Sequence, residues 1–367
     1  KMINKINTFK PFLTVALMAL FLSNVAFASA GHSEEVAVTE EHGNDHGGHD
    51  EKFSPTDVIF SHISDSHDWH LWGEHDHAVS IPLPVILYSD KGVDVFLSSE
   101  FHHGEHPYHG NYTYQLNGNK IVVINEAGEE DEAATAKVLD LSITKNVASM
   151  FISVALLLWL FMGMANAYKK NGIAAPKGKQ SFLEPLVIFV RDDIARPNIG
   201  AKADKFLPFL LTIFFFIWIN NLLGLLPGGA NLTGNISTTL VLACITALVV
   251  NVNGNKDYWK HIFMPPVPVA LYPIMVPIEM VGVIIKPFAL MIRLFANITA
   301  GHIVVISLIS LIFIFKTMAM APVSIAFTLF IDVLELLVAF LQAFICTMLT
   351  SLFIGAAVEE HHHDEAH

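Results

Sequence analysis

Long stretches without charged residues constrain this chain more than any other feature of its sequence. Residues 146–168 contain no charged side chain, and a helix of that length spans the roughly 30 Å hydrocarbon core of a membrane. Only 15% of the 367 residues are charged, against about 25% in soluble proteins. Further apolar stretches follow at 206–226, 236–252, 269–315 and 323–358. The sequence therefore predicts an all-α integral membrane protein with about five transmembrane helices.

The first 30 residues have the pattern of a secretory signal peptide. Three lysines among the first ten residues form a basic start, an apolar stretch follows, and Ala28-Ser29-Ala30 matches a cleavage site. An uncleaved signal anchor is the alternative interpretation. Both place residues 31–145 outside the cytoplasm.

Residues 31–145 differ sharply in composition from the rest of the chain. They hold 22 acidic and 5 basic side chains and 13 of the 19 histidines, and residues 31–51 are predicted to be disordered. Metal binding is one interpretation of the histidines, and a solvated low-complexity segment is the other. The two densest histidine groups are His67, His70, His75 and His77, and His102, His103, His106 and His109.

The later part of this outer segment carries strand patterns. Tyr112–Leu116 and Lys120–Ile124 alternate apolar and polar residues on either side of Asn117-Gly-Asn, which is typical of a β-hairpin. Val79–Tyr88 and Val93–Leu97 are predicted to form a second hairpin. We therefore expect a small, partly β or disordered domain before the membrane segments, which begin at residue 146.

The loop 169–205 is rich in lysine and arginine, which places it in the cytoplasm by the positive-inside rule. Within it, residues 181–195 have apolar residues at helical spacing, so we expect an amphipathic helix at the membrane interface that ends at Pro197. With five crossings, the C-terminal residues 359–367 are also cytoplasmic. The sequence does not decide whether the histidines in this tail are native.

Ionisable and polar side chains interrupt the last two apolar stretches. A charge at the membrane centre costs at least about 2.5–3.5 kcal/mol, so such groups are functional by default. Buried ion pairs that only lock helices together are the alternative. The groups are Glu279, Lys286, Arg293 and His302 on the first stretch, and Asp332, Glu335 and Gln342 on the second.

The spacing of these groups predicts a polar stripe on each helix. Glu279, Lys286 and Arg293 are seven residues apart, nearly two helical turns, and therefore share a face. Arginine stays protonated, so Arg293 attracts a carboxylate but cannot relay a proton. An inner carboxylate, a central fixed cation and the outer pair His302 and Glu335 are the chemistry of a proton path in two halves.

Four motifs resemble those of subunit a of the rotary F-type ATP synthase. The most specific is the run Ile285-Lys-Pro-Phe-Ala-Leu-Met-Ile-Arg293-Leu-Phe-Ala-Asn297, which continues to His302. The others are Glu335 followed by Gln342-Ala-Phe-Ile, Asn220-Asn-Leu-Leu-Gly-Leu-Leu-Pro227, and Arg191-Asp-Asp-Ile-Ala-Arg-Pro-Asn198. Together they extend over residues 180–358, in the order that the family has.

The resemblance implies a role for each polar residue. Arg293 would face the carboxylate of the rotor's c-ring, with Asn297 and Gln342 as polar neighbours. His302 and Glu335 would line the outer access channel, in the reverse order of many bacterial members, and Glu279 would belong to the inner one. Lys286 and Asp332 are possible further members of the path.

At the level of the molecule, the resemblance implies a non-catalytic stator subunit of the inner membrane. Its last two helices would form the stator hairpin beside the c-ring, with the b subunits, the rest of the complex and lipid as further partners. No cofactor or nucleic acid is expected. A metal-ion transporter with a histidine-rich outer segment is the competing hypothesis, and a membrane-anchored metal chaperone is a weaker one.

Overall fold

The computed structural model describes residues 65–72, 79–104, 106–171, 178–226, 229–265, 267–268, 271–315 and 320–359. The signal-peptide prediction, the disorder predicted for residues 31–51 and the C-terminal histidines lie outside these residues. By its contacts the chain divides into two compact units, one containing residues 149–298 and 335–367, the other residues 22–148 and 299–334.

The second unit contains eight short strands among its described residues. They form a two-stranded sheet of β1 and β2, a three-stranded sheet in the order β4-β3-β8, and a three-stranded sheet in the order β5-β6-β7. The bounds are β1 Asp68–Trp72, β2 Val79–Pro82, β3 Pro84–Ser89, β4 Gly92–Leu97, β5 Tyr108–His109, β6 Thr113–Asn117, β7 Lys120–Ile124 and β8 Leu139–Asp140.

The first predicted hairpin is confirmed, and the second is confirmed only in part. β6 pairs with β7 in antiparallel register, with Asn117 opposite Lys120, and Gly118 has the positive φ of 59° that a two-residue turn requires. β3 pairs with β4 as expected. The prediction of one strand over Val79–Tyr88 was wrong, because β2 pairs with β1 instead and the chain changes sheets at Leu83.

Aromatic side chains form the core of this β domain. Phe96 stacks on Tyr108 with ring centroids 3.8 Å apart, and Phe101 and Tyr114 are fully buried beside it. The Tyr114 hydroxyl donates to Asp94 Oδ2 at 2.8 Å, which satisfies its polar end. Burial of each ring contributes about 1.5–3 kcal/mol to the stability of the domain.

Nine α-helices are described, and most of them are apolar. Asn235 caps the helix Ile236–Val252 (α6), because its side chain accepts from the backbone nitrogen of Ser237 at 2.9 Å. Four helices are long and apolar enough to cross a membrane, or five if α6 and α7 are counted as one bent span. The bounds are α1 Glu132–Thr135, α2 Lys145–Asn171, α3 Lys179–Phe189, α4 Arg196–Ile199, α5 Ala203–Gly224, α6 Ile236–Val252, α7 Lys256–Phe263, α8 Tyr272–Phe315 and α9 Met320–Val358.

The prediction that a helix ends at Pro197 was wrong. A π-helical turn at Val190–Ala195 joins α3 to α4, and Pro197 lies in the first turn of α4. Proline is tolerated there because its missing N–H has no intrahelical partner to lose. The break comes instead at Gly200, which has a positive φ of 68°.

Helices α8 and α9 are much longer than a membrane is thick. The 44 residues of α8 extend about 66 Å at 1.5 Å per residue, and the 39 residues of α9 about 58 Å. A hydrocarbon core of roughly 30 Å accommodates such helices if they tilt, bend or extend beyond it. The distance between two residues along the axis of such a helix can therefore exceed the difference between their depths in the membrane.

Candidate functional site

The polar stripe of α8 lies beside the buried face of that helix. Leu290 and Leu294 are buried, whereas Lys286, Arg293 and Asn297 are exposed in the isolated chain. These exposed positions share a flank of the helix, as their spacing predicts. The stripe is therefore available to a group that comes from outside this chain.

Asn297 and Gln342 join α8 to α9. The Asn297 Nδ2 donates to Gln342 Oε1 at 2.8 Å, and Gln342 is 1% exposed. Asn297 lies one turn beyond Arg293 on α8, so the hydrogen-bonded amide pair lies next to Arg293 along the helix. The structure brings these two predicted residues together directly.

Arg293 makes no hydrogen bond or ion pair with any described residue of the chain. Apart from Asn297, its neighbours one turn away on the helix are apolar, and its side chain is exposed. An arginine at membrane depth is costly without an anionic partner. The arrangement is suited to receive a carboxylate from a second protein.

The N-terminal half of α8 borders a small pocket whose exposed lining is mostly apolar, with polar groups at a few positions. The room it offers to a water-sized molecule is about 20 Å³. Its lining includes Lys286, Asn251, Tyr258, Thr246 and Phe353. Lys286 Nζ lies 5.5 Å from the centre of the Phe353 ring, and the Tyr258 hydroxyl donates to Asn251 Oδ1 at 3.1 Å. A pocket of this size with polar groups in its lining has room for about one water molecule.

Glu279 lies seven residues before Lys286, about 10.5 Å along the helix axis, and is partly exposed. The polar stripe of α8 therefore extends from Arg293, past Lys286 at the pocket, to the carboxylate of Glu279. Asn251 and Tyr258 were not predicted as members of this region. Asn251 interrupts the apolar stretch of α6, and this polar residue within an apolar helix is the sequence signal from which it could have been predicted.

The other predicted polar residues lie in the C-terminal half of α8 and the N-terminal half of α9. His302 is partly buried on α8, Glu335 is partly buried on α9, and Asp332 is exposed. His302 and Asp332 belong to the second unit and Glu335 to the first. Pairing of His302 with Glu335 stays a prediction.

A buried amide on α5 holds α9 between Glu335 and Gln342. Asn221 Nδ2 donates to the carbonyl oxygen of Ala339 at 3.2 Å, and Thr233 Oγ1 donates to Asn221 Oδ1 at 2.7 Å. Asn221 and Thr233 are each 2% exposed. Sequence analysis quoted Asn221 in a motif but did not identify this positioning contact.

The C-terminal turns of α9 pack closely against α4 and the loop before α7. A Cβ atom on Gly355 would lie 2.0 Å from the carbonyl oxygen of Asn198, so only glycine fits there. Asn198 Nδ2 donates to Ser351 Oγ at 2.9 Å. Asn255 Nδ2 donates to the Val358 carbonyl at 2.8 Å, which caps the helix end.

The described histidines do not gather into a metal site. Within the described ranges, no group of three or more His, Cys, Asp or Glu side chains could hold a metal ion. His67 instead contacts Asp140, and His109 Nδ1 lies 3.2 Å from Thr113 Oγ1. The side chains of His70, His75, His77, His102 and His103 lie outside what is described.

Comparison with known proteins gives two family matches on separate parts of the chain. Residues 147–355 match the family described as ATP synthase A chain. Residues 58–141 match a domain of unknown function (DUF8433). The boundary between the two matches falls at the start of α2.

Curated relatives match with high identity over the membrane part. The chain is 52% identical over 234 residues to ATP synthase subunit a of Chloroherpeton thalassium, covering 62% of this chain and 70% of that protein. It is 50% identical over 235 residues to ATP synthase subunit a 2 of Prosthecochloris aestuarii, covering 62% and 72%. The subunit a of Myxococcus xanthus is 43% identical over 249 residues, covering 66% and 82%.

Proposed function

This chain belongs to the ATP synthase A chain family, and from that premise we propose which of its residues carry protons. As a member of that family it is the proton-channel stator subunit of an F-type ATP synthase, in which proton flow drives rotation and ATP synthesis. It is a multi-pass membrane protein and a component of the synthase complex. The metal-ion transporter interpretation has no support in these matches.

Arg293 is the stator charge in this proposal. The observation that carries it is an exposed guanidinium on an apolar helix with no anionic partner among the described residues. A c-ring carboxylate that reaches Arg293 loses its proton, because the cation stabilises the charged form. Since arginine holds its own proton, the same residue blocks direct passage from one half of the path to the other.

Asn297 and Gln342 shape the place where the rotor carboxylate meets Arg293. Their hydrogen bond fixes the α8–α9 spacing at this level while leaving further amide groups to contact a carboxylate or water. Asn221 helps to position Gln342, because it donates to the carbonyl of Ala339, three residues earlier on α9. The arrangement holds the stator surface rigid while the rotor moves past it.

Protons reach the inner side through Glu279 and the pocket beside Lys286. Glu279 is the titratable group of this half, and the pocket supplies room for water. Lys286 belongs to the lining, where its ammonium tunes the local potential. The outer half passes His302 and Glu335, with Asp332 as a further polar group at that end.

The remaining molecular assignments follow from the family and from charge distribution. The partners are the c-ring, the b subunits of the peripheral stalk, the rest of the complex and lipid. The chain has no catalytic site of its own, and its sequence lacks the glycine-rich phosphate loop of ATPases. Residues 1–30 are the signal peptide, residues 31–145 face outward, and residues 146–367 form the inner-membrane domain with its C-terminus in the cytoplasm.

ATP-driven acidification of inverted membrane vesicles tests the central assignment. We expect Arg293→Ala to abolish pumping while the purified complex keeps all its subunits. Lys169→Ala is the control, because it removes an exposed cation from α2, a helix that carries none of the residues proposed for the proton path, and it should leave pumping unchanged. Undiminished pumping by an assembled Arg293→Ala complex would overturn the assignment.

A further inference from the structure

The sharp bend between α6 and α7 turns one side chain of α7 toward the neighbouring helices. The two helices are bent by 103°, and Tyr258 is partly buried while Asp257 and Trp259 beside it are exposed. A Cβ atom on Gly254 would lie 2.6 Å from Tyr258 Cδ1, so the ring packs directly against the backbone of the bend. This contact sets the position of the Tyr258 hydroxyl.

The hydrogen bond of the Tyr258 hydroxyl has a defined direction. The hydroxyl donates its single proton to Asn251 Oδ1 at 3.1 Å. Asn251 Nδ2 in turn donates to the carbonyl oxygen of Ala247 at 2.8 Å, so the amide cannot turn round without losing that bond. The Tyr258 oxygen therefore serves any further partner as a hydrogen-bond acceptor.

A proline in α8 supplies a second acceptor at the same pocket. Pro287 lies inside the helix and has no backbone N–H, so the carbonyl of Val283, four residues earlier, lacks its helical donor. Both residues line the pocket together with Tyr258. A carbonyl that proline frees within a membrane helix needs another partner, and ordered water is one of the groups that supply it.

Lys286 adds a donor to these two acceptors. It lines the pocket, and its Nζ lies 5.5 Å from the centre of the Phe353 ring. A buried water molecule typically makes about three hydrogen bonds, which matches two acceptor oxygens and one ammonium group. The volume of about 20 Å³ exceeds the roughly 10–15 Å³ that a single water needs.

We propose that this pocket binds one ordered water molecule, which donates to Tyr258 Oη and to the Val283 carbonyl oxygen and accepts from Lys286 Nζ. The water solvates the Lys286 ammonium group, which is costly to place in a membrane without polar partners. Tyr258 is the positioning residue of the site, because it acts on Lys286 through the water.

The water site deepens the proposed inner half of the proton path and rests on that proposal. The charge of Glu279 acts on the Tyr258 hydroxyl, so both ionisable groups of the inner half act on this one site. Lys286 and Arg293 are exposed cations two turns apart on one flank of α8. Holding Lys286 at the pocket leaves Arg293 as the cation that a rotor carboxylate meets.

Cryo-electron microscopy of the intact complex in lipid nanodiscs tests the site directly. At a resolution that shows ordered water, we expect one density within hydrogen-bond distance of Tyr258 Oη and the Val283 carbonyl oxygen. Tyr258→Phe keeps the ring that packs on Gly254, removes the acceptor and should lose this density. A wild-type complex without the density, or an unchanged density in Tyr258→Phe, would overturn the site.

Passive proton conduction through vesicles stripped of the catalytic sector measures the functional consequence. Tyr258→Phe should slow conduction by up to about tenfold, the scale of one lost hydrogen bond. Trp259→Phe is the matched control, because it changes the adjacent, exposed aromatic residue, and it should conduct at the wild-type rate. Wild-type conduction in Tyr258→Phe with slowed conduction in Glu279→Gln would overturn only the role of Tyr258. Wild-type conduction in both variants would overturn the inner path as well.

Two further variants test the other partners of the water. Pro287→Ala restores an N–H to the Val283 carbonyl, so it should weaken the density and slow conduction, and wild-type behaviour in it would overturn the part assigned to that carbonyl. Lys286→Gln removes the charge that the water solvates. In that background Tyr258→Phe should add little to the loss of conduction, and fully additive losses would show that Tyr258 does not act through Lys286.

Discussion

At the scale of single residues, Asn297 on α8 and Gln342 on α9 hold each other through one hydrogen bond. Gln342 is almost completely buried, and an unpaired amide there would lose its hydrogen bonds to water without replacement. Asn297 supplies one partner. This explains why two amides rather than two apolar residues are found beside Arg293, and why neither is expected to be dispensable.

The Asn297–Gln342 bond should act as a unit in proton transport. We expect Asn297→Ala and Gln342→Ala each to reduce ATP-driven pumping by up to about tenfold, the effect of losing a net 0.5–1.5 kcal/mol. The double variant should be little worse than either single one, because both remove the same bond. Fully additive losses in assembled complexes would contradict a shared role.

Asn221 should matter more for stability than for proton chemistry. Asn221→Ala removes the bonds to Thr233 and to the Ala339 carbonyl, so we expect a loss of about 1–3 kcal/mol and a lower melting temperature of the detergent-solubilised complex. Thr233→Val is the matched comparison, since it removes only one of the two bonds. An equal loss in both variants would show that the contact to α9 contributes nothing.

At the scale of elements, the inner end of α9 is fixed by a close helix crossing. Gly355 leaves room for the Asn198 carbonyl, and Asn255 and Lys202 donate to the carbonyl of Val358. Because α9 carries Gln342 about four turns away, a shift of this crossing moves the polar site as a rigid body.

Gly355→Ala should therefore be damaging where another glycine substitution is not. The added methyl group would overlap the Asn198 carbonyl, and overpacking of this kind costs about 1–3 kcal/mol. Gly163→Ala on α2 is the control, because nothing lies within 4 Å of its added atom. Thermal stability and pumping of the two complexes, measured side by side, should fall only for Gly355→Ala.

The contact of β8 with His67 predicts an acid limit for the outer domain. The folded-state pKa of Asp140 is below its ordinary value, so its contribution to stability is present above about pH 3.9 and is lost as the pH falls through the folded pKa. Protection of the peptide 139–147 from hydrogen exchange should accordingly decline below about pH 4. Asp140→Asn should lack this decline, and a decline that persists in it would assign the acid limit to another group.

The elements that sequence analysis predicted well are those whose signal is local. The hairpin at Asn117–Lys120 and the polar stripe through Arg293 follow from turn chemistry and helical spacing alone. The contacts of Asn221 with Ala339 and of Asn198 with Ser351 join residues 118 and 153 positions apart, and no local pattern specifies such partners. The prediction that a helix ends at Pro197 was wrong, because Pro197 lies in the first turn of α4 and the π-helical turn before it has no pattern that was recognised in the sequence.

At the scale of the whole molecule, the two family matches fall on parts with different kinds of core. The β domain has an aromatic core of its own, and the membrane unit has a separate apolar core. Each core is complete within its own unit. The outer domain is therefore expected to be an addition to the proton path rather than a part of it.

Deletion of residues 31–141, with the signal peptide retained, tests this separation. We expect the shortened chain to assemble and to keep ATP-driven proton pumping in inverted vesicles, because none of the residues proposed for proton transfer is removed. A deletion of the same region that assembles but cannot pump would place an essential group in the outer domain. Subunit composition of the purified complex is the necessary control.

The contacts of α9 also imply an order of events during synthesis. Asn198, Lys202, Asn221 and Asn255 all leave the ribosome before α9 does. The last helix thus inserts beside partners that are already present, and it supplies the carbonyl acceptor for the buried amide of Asn221 on the apolar helix α5. A chain stalled before residue 320 should expose that amide, and membrane quality-control proteases should recognise it as unfinished.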